Sequence, residues 1–379
     1  MWTYRNPVRI HFGTGSREGI SALIADRVYA LITYDEPIFG DLAARIEKFA
    51  GPATVIINNV TPNPNFEDLS LSCHQLVASK TAPEVIVALG GGSVLDAAKV
   101  VAVGGKGFEA VRSHLESSGA SGSLPDRAVP IIAVPTTSGT GSEVTSWATI
   151  WDTEAAKKYS LARDDLYPTD AVVDPALMLG MPRFLTISTG LDALSHALES
   201  LWNVNANPVS AQFAVAAARD VLAHLGPLAE NLGDLEGRTR MARAATMAGL
   251  AFSNTRTALA HSLSYPITLH HGVPHGIACS FSLPDVMRSA IGADPECDNA
   301  LRKIFGPHLE AGADNLAAFI DGLGVSTNHA DHGVSGTEWS AWIEDAIDGD
   351  RGRNFIGGRD NVQKTLVRSA VHAGAQPLN

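Results

Sequence analysis

Val85-Ile-Val-Ala-Leu89-Gly90-Gly91-Gly92-Ser93-Val-Leu-Asp96-Ala-Ala-Lys99 is the stretch on which the fold turns. A short apolar run bounded by turn residues reads as a buried strand. Three glycines follow it, and a helical pattern opens at Ser93. That order presents backbone N–H groups and a helix N-terminus to a phosphate, with glycine allowing close approach. A tight turn with Ser93 as helix cap accounts for one glycine but not for three.

Working outward, Val28–Thr33, Thr54–Asn58, Ala128–Val134 and Ala171–Asp174 read as further short strands. Helical patterns fall between them at 37–49, 66–80 and 93–103. This alternation predicts a parallel sheet with helices on its faces. Gly104–Pro125 reads as a long surface loop around one short helix. Beyond Pro182 the chain becomes rich in Ala and Leu at helical spacing, over 185–203, 208–225, 236–253, 256–265, 276–292, 311–323 and 337–347. The boundary is therefore placed near residue 180, giving an α/β domain over 1–180 and an all-helical domain over 181–379.

Composition narrows the function. The 379 residues hold 28 Lys and Arg against 40 Asp and Glu, a net charge of −12. Nucleic acid and anionic membrane surfaces require clustered positive charge, so neither is an expected partner. Three cysteines without CxxC spacing offer neither a disulfide framework nor a zinc ribbon. No signal-peptide pattern and no apolar run of about 18 residues is present, and a cytoplasmic location is expected.

Other segments carry chemistry. Pro135-Thr136-Thr137-Ser138-Gly139-Thr140-Gly141-Ser142-Glu143-Val144-Thr145 follows a strand and suits a loop wrapped around a polar cofactor. Asp35, at the end of another strand, is placed to accept from ribose hydroxyls. Gly13-Thr-Gly15-Ser-Arg-Glu-Gly19 misses the dinucleotide spacing by one residue and reads as a turn before a capped helix. Asp192 and His196 stand at i, i+4 on one helix face. His261 and His275 come later, and one carboxylate with several imidazoles suits Fe(II), Zn or Mn.

Taken together, the glycine loop, Pro135–Thr145, Asp174-Pro175, Gly190-x-Asp192-Ala-x-x-His196-Ala-x-Glu199, Ser253-Asn254, His261 and Pro274-His275-Gly276 resemble the iron-containing (group III) alcohol dehydrogenases. The match runs from about residue 8 to residue 290 and is looser beyond. The opening, Trp2-x-Tyr4-x-Asn6-Pro7-Val8 with Phe12-Gly13, is similar to members associated with phosphonate metabolism. The resemblance implies a dinucleotide-binding α/β domain, an all-helical domain and an active site in the cleft between them. It places Asp192, His196, His261 and His275 at metal-ligand positions, with Fe(II) foremost and Zn(II) the alternative. It places Gly91, Gly92 and Ser93 on the pyrophosphate, and Asp96, on the helix they open, is expected to be a further cofactor-binding residue. Thr136, Thr137 and Thr140 fall on the adenosine and nicotinamide side, Asp35 at the carboxylate that favours NAD over NADP, and Lys158 at a further cofactor contact.

Two departures stand out. Where the family carries a second histidine four residues after the position of His261, this chain has Tyr265, so Tyr265, His271 or a water is left as proton relay. Arg256 replaces a small residue near the metal-ligand helix, where an anionic substrate group would offset its charge; Arg351 and Arg353 are expected to add to the same positive mouth. The implied activity is reversible, NAD(H)-linked reduction of a small aldehyde by a homodimeric enzyme, with phosphonoacetaldehyde the favoured substrate. A generic short-chain alcohol or diol dehydrogenase, or a lyase of the dehydroquinate-synthase type, is the alternative.

Overall fold

The computed structural model describes residues 1–117, 124–155 and 157–367. They form two compact units. Asn6–Thr137 with Gly141–Leu179 make one, and Gly180 onward with Met1–Arg5 and Ser138–Thr140 the other.

The first unit is a six-stranded parallel sheet in the order β1-β8-β5-β4-β2-β3. Its strands are β1 (Arg9–Phe12), β2 (Tyr29–Ile32), β3 (Val55–Ile57), β4 (Val85–Gly90), β5 (Ile131–Pro135) and β8 (Asp170–Val173); β6 (Trp147–Asp152) and β7 (Lys157–Ala162) form a separate antiparallel hairpin. Helices α1 (Ile20–Ile24) and α2 (Pro37–Ala50) accompany α3 (Phe66–Val77), α4 (Gly92–Val103) and α5 (Phe108–Glu116). The unbroken apolar runs have a simple cause. Tyr29, Leu31, Val85, Val87 and Leu89 face one hydrophobic cluster, while Ala30, Ile32, Ile86 and Ala88 face another, so the central strands are buried on both sides.

Two features were not anticipated from sequence. β1 is an edge strand with Ile10 and Phe12 exposed, so it lacks a buried run to betray it. The β6–β7 hairpin carries the polar Lys157-Lys-Tyr-Ser-Leu-Ala162, which has little apolar patterning. Of the Gly104–Pro125 segment, α5 is the short helix expected there; Gly119 and Gly122 lie outside the described residues. The Gly13–Gly19 turn is held by Asp174, whose Oδ2 accepts from the Gly15 N–H and the Arg17 guanidinium, both at 3.0 Å.

The second unit is helical: α6 (Arg183–Glu199), α7 (Pro208–Glu230), α8 (Leu235–Thr255), α9 (Leu259–His271), α10 (His275–Ala278), α11 (Leu283–Ala290), α12 (Pro295–Phe305), α13 (Leu309–Gly322) and α14 (Gly336–Asp348). The pattern over 276–292 is two helices, because Pro284 restarts the chain as the second residue of α11. Helix α12 was not anticipated. Helix α6 lies at the centre, packed on α7, α8 and α10, and is buried from Gly190 to Glu199.

Candidate functional site

Helix α6 presents Asp192, His196 and Glu199 on one face, and its position in the core takes all three out of water. Buried charge is stable only when paired or hydrogen-bonded. Glu199 meets that condition by closing the N-terminus of α9. Its carboxylate accepts from the backbone N–H groups of Ala258 at 2.9 Å and Ala260 at 2.5 Å, and from that of His261. Its Oε2 also lies 2.6 Å from His261 Nδ1. Burial opposes the charge on Glu199, but His261 and these amides outweigh it and hold the carboxyl below its usual range.

That contact fixes the His261 ring. Nδ1 is engaged, and Nε2 points at Asp192 Oδ1 from 3.6 Å, buried and without a hydrogen-bond partner. His275 is arranged in the same sense: Ser264 Oγ stands 3.4 Å from its Nδ1 and its Nε2 is 4.0 Å from Asp192 Oδ1. His196 Nε2 lies 3.8 Å from the same oxygen, its ring stacked on Phe252 at 4.0 Å. Donor atoms bound to one ion at about 2.1 Å in tetrahedral geometry stand roughly 3.4 Å apart. Three imidazole nitrogens at 3.6 to 4.0 Å from one carboxylate oxygen therefore lie close to a coordination shell. With the buried, unpartnered Nε2 of His261, the donor set fits a divalent metal. Burial works against Asp192, yet His196, His261 and His275 together hold its carboxyl well below the usual range. Burial lowers the His196 imidazole to about 4, leaving it neutral as a ligand must be.

Cys279 is the residue that sequence reasoning missed. Its sulfur joins Asp192, His261 and His275 in a group whose donor atoms all lie within 4.8 Å of one another, and it stands 3.5 Å from Asp192 Oδ1. The available signal was its place four residues after His275. Burial and the neighbouring Asp192 push the thiol well above its ordinary value, so it is a donor to Asp192. Glu199 stands seven residues after Asp192 on the same face, but its service to His261 comes from the packing of α9 on α6.

Of the proton-relay candidates, Tyr265 lies with this group, its ring parallel to that of His275 at 6.0 Å. Burial raises its phenol to about 12. His271 is directed elsewhere, against Trp342 and 3.4 Å from Glu338, both on α14. Arg256 is exposed at the C-terminus of α8 with φ 64°, and its carbonyl accepts from Asn203 Nδ2 at 3.1 Å. The burial on which an anion-gripping Arg256 was expected is absent.

In the sheet unit, Gly91 follows β4 as the N-cap of α4 with no side-chain cap, and Ser93 lies inside the helix and accepts from the Asn63 N–H. A Cβ at Gly91 would stand 3.1 Å from Thr137 Cγ2 and 3.4 Å from the Tyr34 hydroxyl. Thr136 donates its N–H to the Gly90 carbonyl. Asp35 is exposed beyond β2 and accepts from Asn58 Nδ2 at 2.8 Å. Asp96 is engaged by the protein: Ser142 Oγ donates to one oxygen at 2.6 Å and the Thr149 N–H to the other at 2.8 Å. The buried Lys99 ammonium donates to Ser142, Thr145 and the Trp147 carbonyl. Asp96 and Lys99 thus tie the segment 142–149 to α4. Lys158, on β7, contributes to the field at Asp96. Thr140 belongs to the helical unit, and Thr136 and Thr137 to the sheet unit.

A parallel α/β sheet with an uncapped glycine turn, together with a helical unit holding a buried Asp–His cluster, defines a metal-dependent dehydrogenase architecture. Residues 7–175 match the iron-containing alcohol dehydrogenase model and residues 186–369 match the C-terminal model of the Fe-containing alcohol dehydrogenase family. The chain belongs to the iron-containing alcohol dehydrogenase family, and the likeness extends well beyond residue 290. It is 30% identical to the 1,3-propanediol dehydrogenase of Klebsiella pneumoniae over 85% of this chain and 84% of that one. It is 34% identical to the phosphonoacetaldehyde reductase of Streptomyces viridochromogenes over 71% of this chain and 67% of that one. The sulfoacetaldehyde reductase of Bifidobacterium kashiwanohense, solved in complex with NAD+, superposes with a TM-score of 0.89 at 27% identity, covering all of both chains. No helix among the described residues is long and apolar enough to cross a membrane.

Proposed function

We propose that this enzyme is an NAD(H)-linked, metal-requiring reductase of a short aldehyde bearing an anionic group, with phosphonoacetaldehyde and 2-hydroxyethylphosphonate as the aldehyde–alcohol pair. The observation that carries the reading is the His261 ring, fixed through Nδ1 by Glu199 with a buried, unpartnered Nε2 directed at Asp192. Asp192, His196, His261 and His275 hold the metal, Fe(II) foremost and Zn(II) compatible with the same donors. His196 completes the set through its Nε2, 3.8 Å from the Asp192 oxygen that His261 and His275 also face. When bound, the metal supplies Lewis acidity toward a carbonyl oxygen, and the nicotinamide supplies or accepts the hydride. Tyr265, whose ring lies parallel to that of His275, is the residue that passes a proton to the product oxygen, directly or through water. His271 is set aside as relay because it faces α14.

Gly91, Gly92 and Ser93 receive the pyrophosphate, Thr136, Thr137 and Thr140 the remainder of the dinucleotide, and Lys158 a further contact. Asp35 favours NAD by repelling a 2′-phosphate. Asp96 acts by holding Ser142 and Thr149. The anionic class is supported by the relatives named for phosphonoacetaldehyde and sulfoacetaldehyde. We place the enzyme in the cytoplasm as a homodimer.

The test is a panel of aldehydes assayed with NADH and NADPH on protein reconstituted with Fe(II) or Zn(II). The expected result is kcat/KM at least tenfold higher for phosphonoacetaldehyde than for propanal or 3-hydroxypropanal, and higher with NADH than with NADPH. Preference for 3-hydroxypropanal would make it a diol dehydrogenase, and turnover without net NADH change a lyase. The cofactor loop is tested separately. Gly91→Val places a branched side chain against Thr137 and Tyr34 where the pyrophosphate is proposed to lie. Its NADH affinity, read by fluorescence titration, is expected to fall about tenfold or more, corresponding to roughly 1.4 kcal/mol. Unchanged affinity would place the dinucleotide elsewhere.

A further inference from the structure

Three arginines bear on how an anionic substrate would be held, and the structure separates them. Arg256 is exposed beyond α8. Arg353 is exposed and already neutralised, with Nη2 on the Asp350 carboxylate and Nη1 on the Asp348 carbonyl. Arg351 differs from both. It is half-buried, its guanidinium carbon sits 4.9 Å over the Tyr265 ring, and its Nε donates to Thr257 Oγ1 at 2.9 Å. Among the described residues no carboxylate stands within ion-pair distance of it, and its terminal nitrogens have no hydrogen-bond acceptor.

A half-buried guanidinium without a counter-charge carries part of the cost of burying a charge, while its terminal nitrogens stay open to an incoming anion. The Tyr265 face offsets part of that cost. What remains is a planar pair of N–H donors, the geometry that grips carboxylate, phosphonate or sulfonate oxygens in bidentate fashion. The same Tyr265 ring lies parallel to His275, so Arg351 is one aromatic ring removed from the Asp–His cluster. Its mount is rigid. Asn354 Nδ2 donates to the Thr257 carbonyl at 2.9 Å, the Val204 N–H to the Asn354 carbonyl at 2.8 Å, and the Ile356 N–H to the Trp202 carbonyl.

From this arrangement we infer that Arg351, held by Thr257 and Tyr265, is the specificity residue that binds the anionic group of a short ω-anionic aldehyde. The inference rests on the anionic-aldehyde reading above and names the group that performs it. The contact suits a short aldehyde, whose acidic group and carbonyl stand close together as Arg351 and His275 do on either side of the Tyr265 ring. A neutral aldehyde forgoes this contact.

The experiment compares wild type, Arg351→Met and Arg351→Lys, metal-loaded, on phosphonoacetaldehyde and propanal with NADH, and measures the competitive inhibition constant of methylphosphonate. Arg351→Met is expected to lose about 100-fold or more in kcat/KM on phosphonoacetaldehyde, chiefly through KM, and at least 30-fold more than it loses on propanal. Arg351→Lys is expected to recover part of the loss, and methylphosphonate inhibition to weaken in parallel. If wild type prefers phosphonoacetaldehyde but Arg351→Met loses equally on both aldehydes, the role of Arg351 is overturned while the substrate reading stands. If wild type shows no preference for the anionic aldehyde, the substrate reading fails and takes this inference with it. Should Arg351→Met not fold, the Arg351→Lys ratios and inhibition constant decide in the same way.

Discussion

Replacing His261 by alanine is expected to abolish metal retention and to lower turnover by roughly a thousandfold or more, since Lewis-acid stabilisation supplies several kcal/mol to a polarised carbonyl. The effect has two parts. The first is loss of the ligand itself, the imidazole whose Nε2 is buried and unpartnered. The second falls on Glu199, which is fully buried and exchanges its side-chain partner, 2.6 Å away at His261 Nδ1, for a cavity. The amides of Ala258 and Ala260 still hold it, so the chain should fold, with stability reduced by about 3 kcal/mol as for other broken buried pairs. Metal content by mass spectrometry, NADH oxidation and urea denaturation measure the three quantities. Stoichiometric metal with full activity in His261→Ala would sink the assignment of the cluster.

Gly276→Ala is expected to do comparable damage without touching a donor atom. A Cβ at residue 276 would stand 2.0 Å from the Ser188 carbonyl oxygen and 2.8 Å from its carbon, both backbone atoms of α6. Normal contact between carbon and oxygen is about 3.3 Å, so α10 must move away by over 1 Å, because α6 is packed on every side by the helical core. His275 is the first residue of α10 and moves with it. A displacement of that size is worth roughly 100-fold in rate. The expected result is kcat/KM lowered about 100-fold, weaker metal affinity and a lower melting temperature. Wild-type kinetics in this variant would show that α10 does not set the position of His275. In Pro274-His275-Gly276 the glycine lets the turn that bears His275 lie against the helix that carries Asp192 and His196.

The sheet was legible in the sequence because its central strands are buried on both faces, and residues so placed must be apolar without interruption. The same physics hid what is exposed: β1 at the edge and the polar second strand of the hairpin have no such requirement. Metal-ligand candidates were readable one by one, as residue types with the right chemistry, and Asp192 with His196 as a pair because helical spacing is a local property. Their convergence with His261 and His275 was not readable, since it depends on how α9 and α10 pack against α6. Nor were the partners that orient them. Glu199 serves His261 across 62 positions of chain, Cys279 reaches Asp192 across 87, and Arg351 meets Thr257 across 94. Sequence alone determined the class of fold, the glycine turn and the kinds of side chain available for chemistry, because backbone periodicity and burial act over short stretches. Tertiary structure alone decided that Arg351, unlike Arg353, has no counter-charge among the described residues, which histidine leaves the group for α14 and which nitrogen of His261 is unpartnered, because each is set by how the segments pack.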